Sequence, residues 1–494
     1  MGPRLLVREV DGVRDAERAF AHLYGASASA FWLDSARHGG RGRFSFMGDG
    51  SGPLAAVVTY DVEERLVRVE RRGGVEVRRE SIFDFLATAL EGSPPLDPEP
   101  PFDFDCGFVG YLGYELKADC GATAAHRAAT PDAAFVFADR LIAFDHEECR
   151  TYLLALTSPP PELHQLFDLA GREVDAVRSG ERWIEETERR LAALPPLPEP
   201  EPQGPVELRL RRSAQRYLDD IDACKGYLAA GDSYEICLTN QLVGEVAVEP
   251  LTLYRSLRRA NPAPFSAYLR FDALAVLSSS PERFLAVDRE GGVETRPIKG
   301  TSRRGAMAAE DSRLARVLHG DPKSRAENVT IVDLMRNDLG RVCEAGSIEV
   351  PELMRVESYE TVHQLVSSVR GRLRQGVNTT DCVLACFPPG SMTGAPKLRT
   401  MEILDELEGA SRGVYSGAIG YFGLGGACDL SVAIRTIVLD GESLEVGAGG
   451  AIVADSDPRA ELDEMLLKAR APAAALLGVK SARAVAGPKP VNFP

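Results

Sequence analysis

Apolar and polar positions along this chain follow two periods, and the places where the period changes mark its elements. Short alternating runs, "LLVREV", "PLAAVVTYD" and "AAFVFADRLIAFD", predict strands in the first 150 residues. The charged stretch "DLAGREVDAVRSGERWIEETERRLAAL" turns helical and leads into "LAALPPLPEPEPQGP" (191–205), whose prolines forbid a regular element. Beyond it, "SAQRYLDDIDACKGYLAAG" predicts a helix capped by Ser213 and stopped by Gly231, with Tyr217, Ile221, Cys224 and Leu228 on its inner face. Strand patterns follow in "YEICLTNQL", "FSAYLRF", "LAVLSS", "RFLAV" and "ETRPI", then helices in "AEDSRLARVLH" and "SRAENVTIVDLMRND". "VYSGAIGYFGL", "CDLSVAIRTIVLD" and "ESLEVGAGGAIV" read as successive antiparallel strands before a last helix in "DPRAELDEMLLKAR". Runs of strands with helices between them predict an α+β fold with antiparallel sheets rather than a doubly wound parallel one. Four segments result: an N-terminal region 1–190, a Pro/Glu-rich linker 191–208, a main domain 209–472 and a tail 473–494. The last residues of the tail, "GPKPVNFP", are expected to fray.

Composition narrows the function classes. A chain of 494 residues needs two domains or one large composite core. Its net charge of -16 argues against nucleic acid or an anionic membrane as partner, so an anionic substrate requires a locally basic pocket. No apolar run approaches the ~20 residues of a membrane span, and "MGPRLLVREVDG" lacks the pattern of a signal peptide. The nine cysteines form no C-x-x-C pair, and Cys382 and Cys386 fit two buried thiols on one helix face. A cytoplasmic location is expected.

Among 57 basic residues only eight are lysines, which makes Lys299 in "RPIKGT" conspicuous. Lysine, unlike arginine, can shed its proton when desolvated and attack an electrophile. Glu461 and Glu464 share one face of the last helix, with Lys468 a turn beyond, and Glu327 opens another helix. Three carboxylates from two helices suit Mg²⁺, while a solvated acidic helix face has the same spacing. In "PPGSMTGAPKLRTMEIL", Ser391, Thr393 and Lys397 could hold an anion at a helix start, or simply cap the helix. Gly447, Gly449 and Gly450 either admit a ligand to the backbone or form a tight sheet turn. His363 lies in an apolar setting, and Glu282 follows a proline at a strand start, as a positioned acid would. Arg435 reads as a strand residue sharing a face with Ala433 and Ile437, suited to a bidentate carboxylate contact.

In order and spacing these stretches resemble the chorismate-utilising family. The matching segments are "GDSYEICL", "SSSPERFL", "RPIKGT", "RAENVTIVDLMRNDLGRV", "HQLVS", "PPGSMTGAPKLRTMEI", "YSGAIGYF", "AIRT" and "GAGGAIVADSDPRAELDEMLLKA", spanning about 210–470. "FWLDSARHGGRGRFSFMG" and "GFVGYLGYEL" extend a looser likeness into the N-terminal third. The resemblance implies two large antiparallel sheets packed face to face with helices outside. It implies Mg²⁺ on Glu327 and Glu464 with Glu461 nearby. Gly300, Thr301, Ser391, Tyr421, Arg435, Gly447, Gly449, Gly450 and Lys468 would surround chorismate, with His363 near its ring.

Within the family, Lys299 marks the members that aminate chorismate at C4 on the way to 4-aminobenzoate. Neutral Lys299 would attack C2 and expel the C4 hydroxyl, Glu282 would protonate that leaving group, and ammonia would then attack C4. Relatives that form anthranilate carry alanine at this position, and relatives that use water carry a lysine where this chain has Glu235. Mg²⁺, Arg296 and burial are expected to lower the pKa of Lys299 from about 10.4. The chain contains no G-x-C-x-G glutaminase elbow, so a separate glutaminase subunit is the expected ammonia source. The feedback motif Leu-Leu-Glu-Ser of anthranilate-forming relatives survives only as "WLDS" (32–35). The alternatives are an anthranilate-forming enzyme and a non-catalytic chorismate-binding homologue.

Overall fold

The computed structural model describes residues 4–12, 15–36, 42–91, 98–167, 173–200, 206–359, 362–477, 483–486 and 489–492. Among these, two sheets of 14 and 12 strands dominate. Every pairing is antiparallel except Leu208–Leu210 with Arg483–Ala486. Aromatic side chains join the sheets face to face. Phe46 of the larger sheet meets Tyr421 of the smaller edge-on at 5.9 Å, and Phe271 meets Tyr111 at 6.0 Å. Helices Ala214–Ala230, Pro250–Ala260 and Pro458–Leu477 cover the outer face of the larger sheet and share a second apolar core with it. The expected α+β architecture is the observed one.

Alternation along the strand Glu235–Glu245 shows how sequence builds this arrangement. Ile236, Leu238 and Leu242 point to the helix-covered core, while Cys237 points to the core between the sheets. Ser213 caps the helix Ala214–Ala230 through the amide of Arg216, and Gly231 ends it at φ 81°, as the sequence predicts.

Three expectations are corrected. The Pro/Glu-rich segment separates regions in sequence only, because strands from both sides of it enter both sheets. Its described residues lie against the molecule: Arg18 donates to the carbonyls of Leu194 and Pro195, and Arg255 to that of Pro198. Proline carbonyls remain strong acceptors, and Arg18 and the buried Arg255 use them. At the C-terminus, Lys489–Asn492 is a strand rather than a frayed end. It pairs with Arg483–Ala486, which occupies the otherwise open edge beside Leu208–Leu210. Residues 487–488 and 493–494 of that stretch lie outside the described residues. Finally, "CDLSVAIRTIVLD" is two strands. Cys428–Val432 belongs to the smaller sheet and Thr436–Asp440 to the larger, with the crossing at 433–435.

Candidate active site

A second crossing lies beside the first. Leu274–Ser280 belongs to the larger sheet and Arg283–Val287 to the smaller, and Glu282 sits in the step between them. The two crossings are stitched by backbone: Val432 N–H donates to Glu282 O at 3.0 Å, and Ser279 N–H to Arg435 O at 3.2 Å. Arg435 adopts φ 51°, a left-handed bend that an extended strand would not allow. The alternation argument therefore fails for it. The bend turns a half-buried guanidinium toward Glu282. Among the described residues no carboxylate forms an ion pair with Arg435, and burial lowers its pKa despite the opposing pull of Glu282. A guanidinium in this state is a ready receptor for a carboxylate.

Glu282 is buried, and burial pushes its pKa up to about 7, opposed by the Ser391 hydroxyl, the Lys299 charge and the Ile298 amide. A carboxyl group that is half protonated near neutrality can donate a proton there. Ser391 thus joins the site as expected, whereas Lys397 does not. Its ammonium is tied to Asp338 at 2.6 Å and to the carbonyls of Cys386 and Pro388, so it braces the loop instead of waiting for an anion.

Lys299 lies on Ile298–Arg303 of the smaller sheet and is 8% exposed. Its Nζ donates to Oε1 of Glu235, on the larger sheet, at 2.5 Å. Burial alone would lower its pKa, but Glu235 and Glu327 outweigh that and hold it above the usual lysine value. The expected lowering is therefore overturned for the ligand-free chain. Arg296, which was to assist it, is committed to Glu352 and Glu357 at 3.1 and 2.5 Å. The next residue, Gly300, has φ 95°, and a Cβ there would lie 2.7 Å from Ser324 Oγ. Thr301 is exposed.

Lysine side chains, Lys323 and Lys468, link the three carboxylates proposed for a metal. Lys323 donates to Glu461 Oε1 at 2.5 Å and lies 3.7 Å from Glu327 Oε1. Glu464 pairs with Lys468 at 2.8 Å, and Lys468 also donates to the carbonyl of Gly449 at 3.0 Å. A Cβ on Gly450 would sit 3.4 Å from Glu461 Oε2 and 4.0 Å from Glu464 Oε1, so the bare glycine keeps this space open. Burial raises Glu327 to about 7, with Lys299 the strongest opposing charge. Burial also acts to raise Glu464, but Lys468, Lys323 and Lys299 bring it below its usual value. Glu461 Oε2 is buried with no hydrogen-bond partner among the described residues. Among the described residues no three or more acidic, histidine or cysteine side chains are grouped so as to hold a metal ion. All-oxygen donors with one unsatisfied carboxylate oxygen are the chemistry magnesium prefers, but in this arrangement Lys323 and Lys468 take up the negative charge.

The glycines of "VGAGG" lie within the strand Ser443–Ile452, not in a turn. A Cβ on Gly447 would fall 2.1 Å from the ring of Tyr415, and one on Gly449 2.5 Å from the Leu238 carbonyl. Tyr415 is the aromatic that sequence reading missed. Tyr421, six residues on, stacks on Phe104 at 4.5 Å and lines a different cavity of about 390 Å³, with Asp34, Ser35, Arg43 and Arg283. The motif "YSGAIGY" offers two tyrosines, and Gly447, which must receive a ring, was the signal for the first. His363 is buried, with Nε2 2.9 Å from Asp311 and Nδ1 2.8 Å from Ser358. Both ring nitrogens are engaged, Nε2 by Asp311 of the helix Ala308–Gly320 and Nδ1 by Ser358 of the neighbouring strand Glu349–Ser358.

A family model of chorismate binding enzymes matches residues 28–474. The aminodeoxychorismate synthase of Streptomyces pristinaespiralis is 49% identical over 480 residues, covering 96% of this chain and 65% of that protein. The anthranilate synthase component 1 of Streptomyces coelicolor is 38% identical, covering 95% and 87%. Among solved structures, anthranilate synthase component I from Streptococcus pneumoniae TIGR4 superimposes with TM-score 0.73 at 28% identity, covering 88% of this chain and 93% of that one. The chain spans only 53% to 65% of the length of the aminodeoxychorismate synthases it matches. The family model covers most of the chain and the fold matches that of a solved relative, and this chain belongs to the family of chorismate binding enzymes.

Proposed function

We propose that the chain is the synthase component of an aminodeoxychorismate synthase, converting chorismate and ammonia to 4-amino-4-deoxychorismate on the way to 4-aminobenzoate. The observation that carries this reading is the buried Lys299, which shares one site with the neutral-poised acid Glu282 and with Arg435, unpaired among the described residues. A solvated loop lysine would need none of these neighbours. Higher identity to aminodeoxychorismate synthases (49%) than to anthranilate synthases (38%) supports it.

Each residue then has a task. Arg435 binds a carboxylate of chorismate, with Gly449 and Lys468 bordering the same space. Lys299, once neutral, attacks C2 as the C4–O bond breaks, and Glu282 delivers its proton to the departing hydroxyl, which leaves as water. Ammonia attacks C4, the double bond shifts back and the lysine amine is released. Glu327, Glu464 and Glu461 would hold Mg²⁺, whose charge neutralises the ring carboxylate of the substrate. Ammonia is supplied by a separate glutaminase subunit, and the enzyme works in the cytoplasm. Among the described residues no helix is long and apolar enough to cross a membrane.

The test is amine dependence. With chorismate and Mg²⁺, ammonium should support formation of the C4 amine by this 494-residue chain, and glutamine should not. Turnover of glutamine by the chain alone would contradict the separate ammonia source.

A further inference from the structure

A lysine can attack only as a free amine, yet the site holds Lys299 as an ammonium. Some group must take its proton once substrate is present. The charged or titratable groups around it are Glu235 and Cys237 from the strand Glu235–Glu245, Glu327 from Pro322–Gly340, Glu282 from the sheet crossing, and Glu464 from Pro458–Leu477. Of these, only Glu235 is hydrogen-bonded to Nζ, at 2.5 Å. Glu282 is unsuited, since the leaving hydroxyl needs its proton, and the thiol of Cys237 is itself pushed up by burial. Glu327 belongs to the carboxylate cluster beside Lys323.

We propose that Glu235 is the catalytic proton acceptor for Lys299. The inference rests on the reading of the chain as a C4-aminating enzyme with a lysine nucleophile. Two features of Glu235 fit the role. It is 1% exposed, so its negative charge is little screened and the transfer neutralises both partners in place. Its second oxygen, Oε2, is buried without a hydrogen-bond partner among the described residues. The proton passes along this hydrogen bond to Oε1, and rotation of the carboxyl group, which leaves no partner of Oε2 to break, turns the O–H away and frees the lone pair of Nζ for C2.

The step balances. One N–H bond of Lys299 breaks and one O–H bond of Glu235 forms. The Nζ lone pair then makes the bond to C2 while the C4–O electrons leave with the hydroxyl, which takes the proton of Glu282. When ammonia displaces the amine from C2, neutral Lys299 recovers its proton from Glu235, and Glu282 is reprotonated by the new C4 ammonium.

Glu235→Gln tests this, because the amide keeps an oxygen to accept the Nζ hydrogen bond but cannot take the proton. The expected result is a folded protein whose kcat/KM for chorismate at pH 7 falls by about 10²-fold or more. The ratio of variant to native rate should climb with pH, because solvent must now deprotonate Lys299, and Glu235→Asp should recover part of the loss. A Gln variant within about threefold of native across the pH range overturns the proposal, since a general base contributes about 10²–10⁴-fold. A large loss with a pH-independent ratio also overturns it, showing that Glu235 only anchors the lysine. Failure of the native chain to form a C4 amine is a separate result. It removes the underlying reading and the proposal with it.

Discussion

Glu282 and Arg435 sit at two adjacent crossings from one sheet to the other, their backbone carbonyls accepting from the amides of Val432 and Ser279. Each crossing breaks regular pairing and frees one residue to face the gap between the sheets. An acid and a guanidinium are thereby fixed by the scaffold instead of by a loop, which suits the rigid dianion proposed as substrate. Arg435→Gln should remove a charge-assisted contact of about 1.5–3 kcal/mol, which is roughly 10- to 100-fold in kcat/KM for chorismate. Most of it should fall on KM, measured by initial rates at saturating ammonium. An unchanged KM would place the substrate carboxylates elsewhere.

Glu282 sets the pH dependence. Its carboxyl, raised from 4.5 to about 7, must carry the proton to act. The kcat/KM of the native chain should therefore fall as pH rises through about 7, and that limb should be absent from the residual activity of Glu282→Gln. Stability follows the same sign. The folded state keeps a proton that the unfolded state loses near 4.5, so this group destabilises the fold as pH rises from about 4.5 to 7. Thermal unfolding of the Gln variant should vary less with pH across that window.

The metal reading turns on Glu327 and Glu464. Chelator should abolish activity and Mg²⁺ restore it, and Glu327→Gln or Glu464→Gln should weaken the restoration, because each removes charge that the cation needs. Calorimetric titration of Mg²⁺ with chorismate present would show the same weakening without relying on turnover. Unchanged Mg²⁺ dependence in both variants would leave these carboxylates as partners of Lys323 and Lys468 only.

Most of this was readable from the chain where one residue's type determined its role. The antiparallel α+β architecture followed from strand alternation; Lys299, Glu282, Glu461 and Glu464 stood out by residue type and spacing, and their roles came from the family resemblance. What stayed hidden depended on distant partners. Arg435 looked like a strand residue because alternation cannot reveal a sheet change. Arg296 looked available until Glu352 and Glu357, more than 50 positions away, claimed it. Tyr421 entered through the family resemblance, and nothing local in the sequence shows that Tyr415 is the ring packed on Gly447. The raised pKa of Lys299 needed Glu235, 64 positions earlier.

Substitution at Lys299 separates chemistry from charge. Arginine preserves the ion pair with Glu235 but offers no neutral amine, so Lys299→Arg should be stable and inactive in C4 amination. Lys299→Ala leaves Glu235 buried and unpaired, at a cost of about 3–5 kcal/mol, so its unfolding must be followed alongside its activity. Slow formation of a 2-amino product by the alanine variant is expected, as ammonia gains direct access to C2. C4 amination near the native rate by either variant would reduce Lys299 to an electrostatic role.

The central claim is that this chain puts nitrogen on C4. Incubating it with chorismate, Mg²⁺ and ¹⁵N-ammonium and locating the label in the product by NMR tests that directly. The account predicts ¹⁵N bonded to C4 of 4-amino-4-deoxychorismate, and ¹⁵N-labelled 4-aminobenzoate once a lyase that removes pyruvate is added. Label at C2, with anthranilate as the main product, would contradict it.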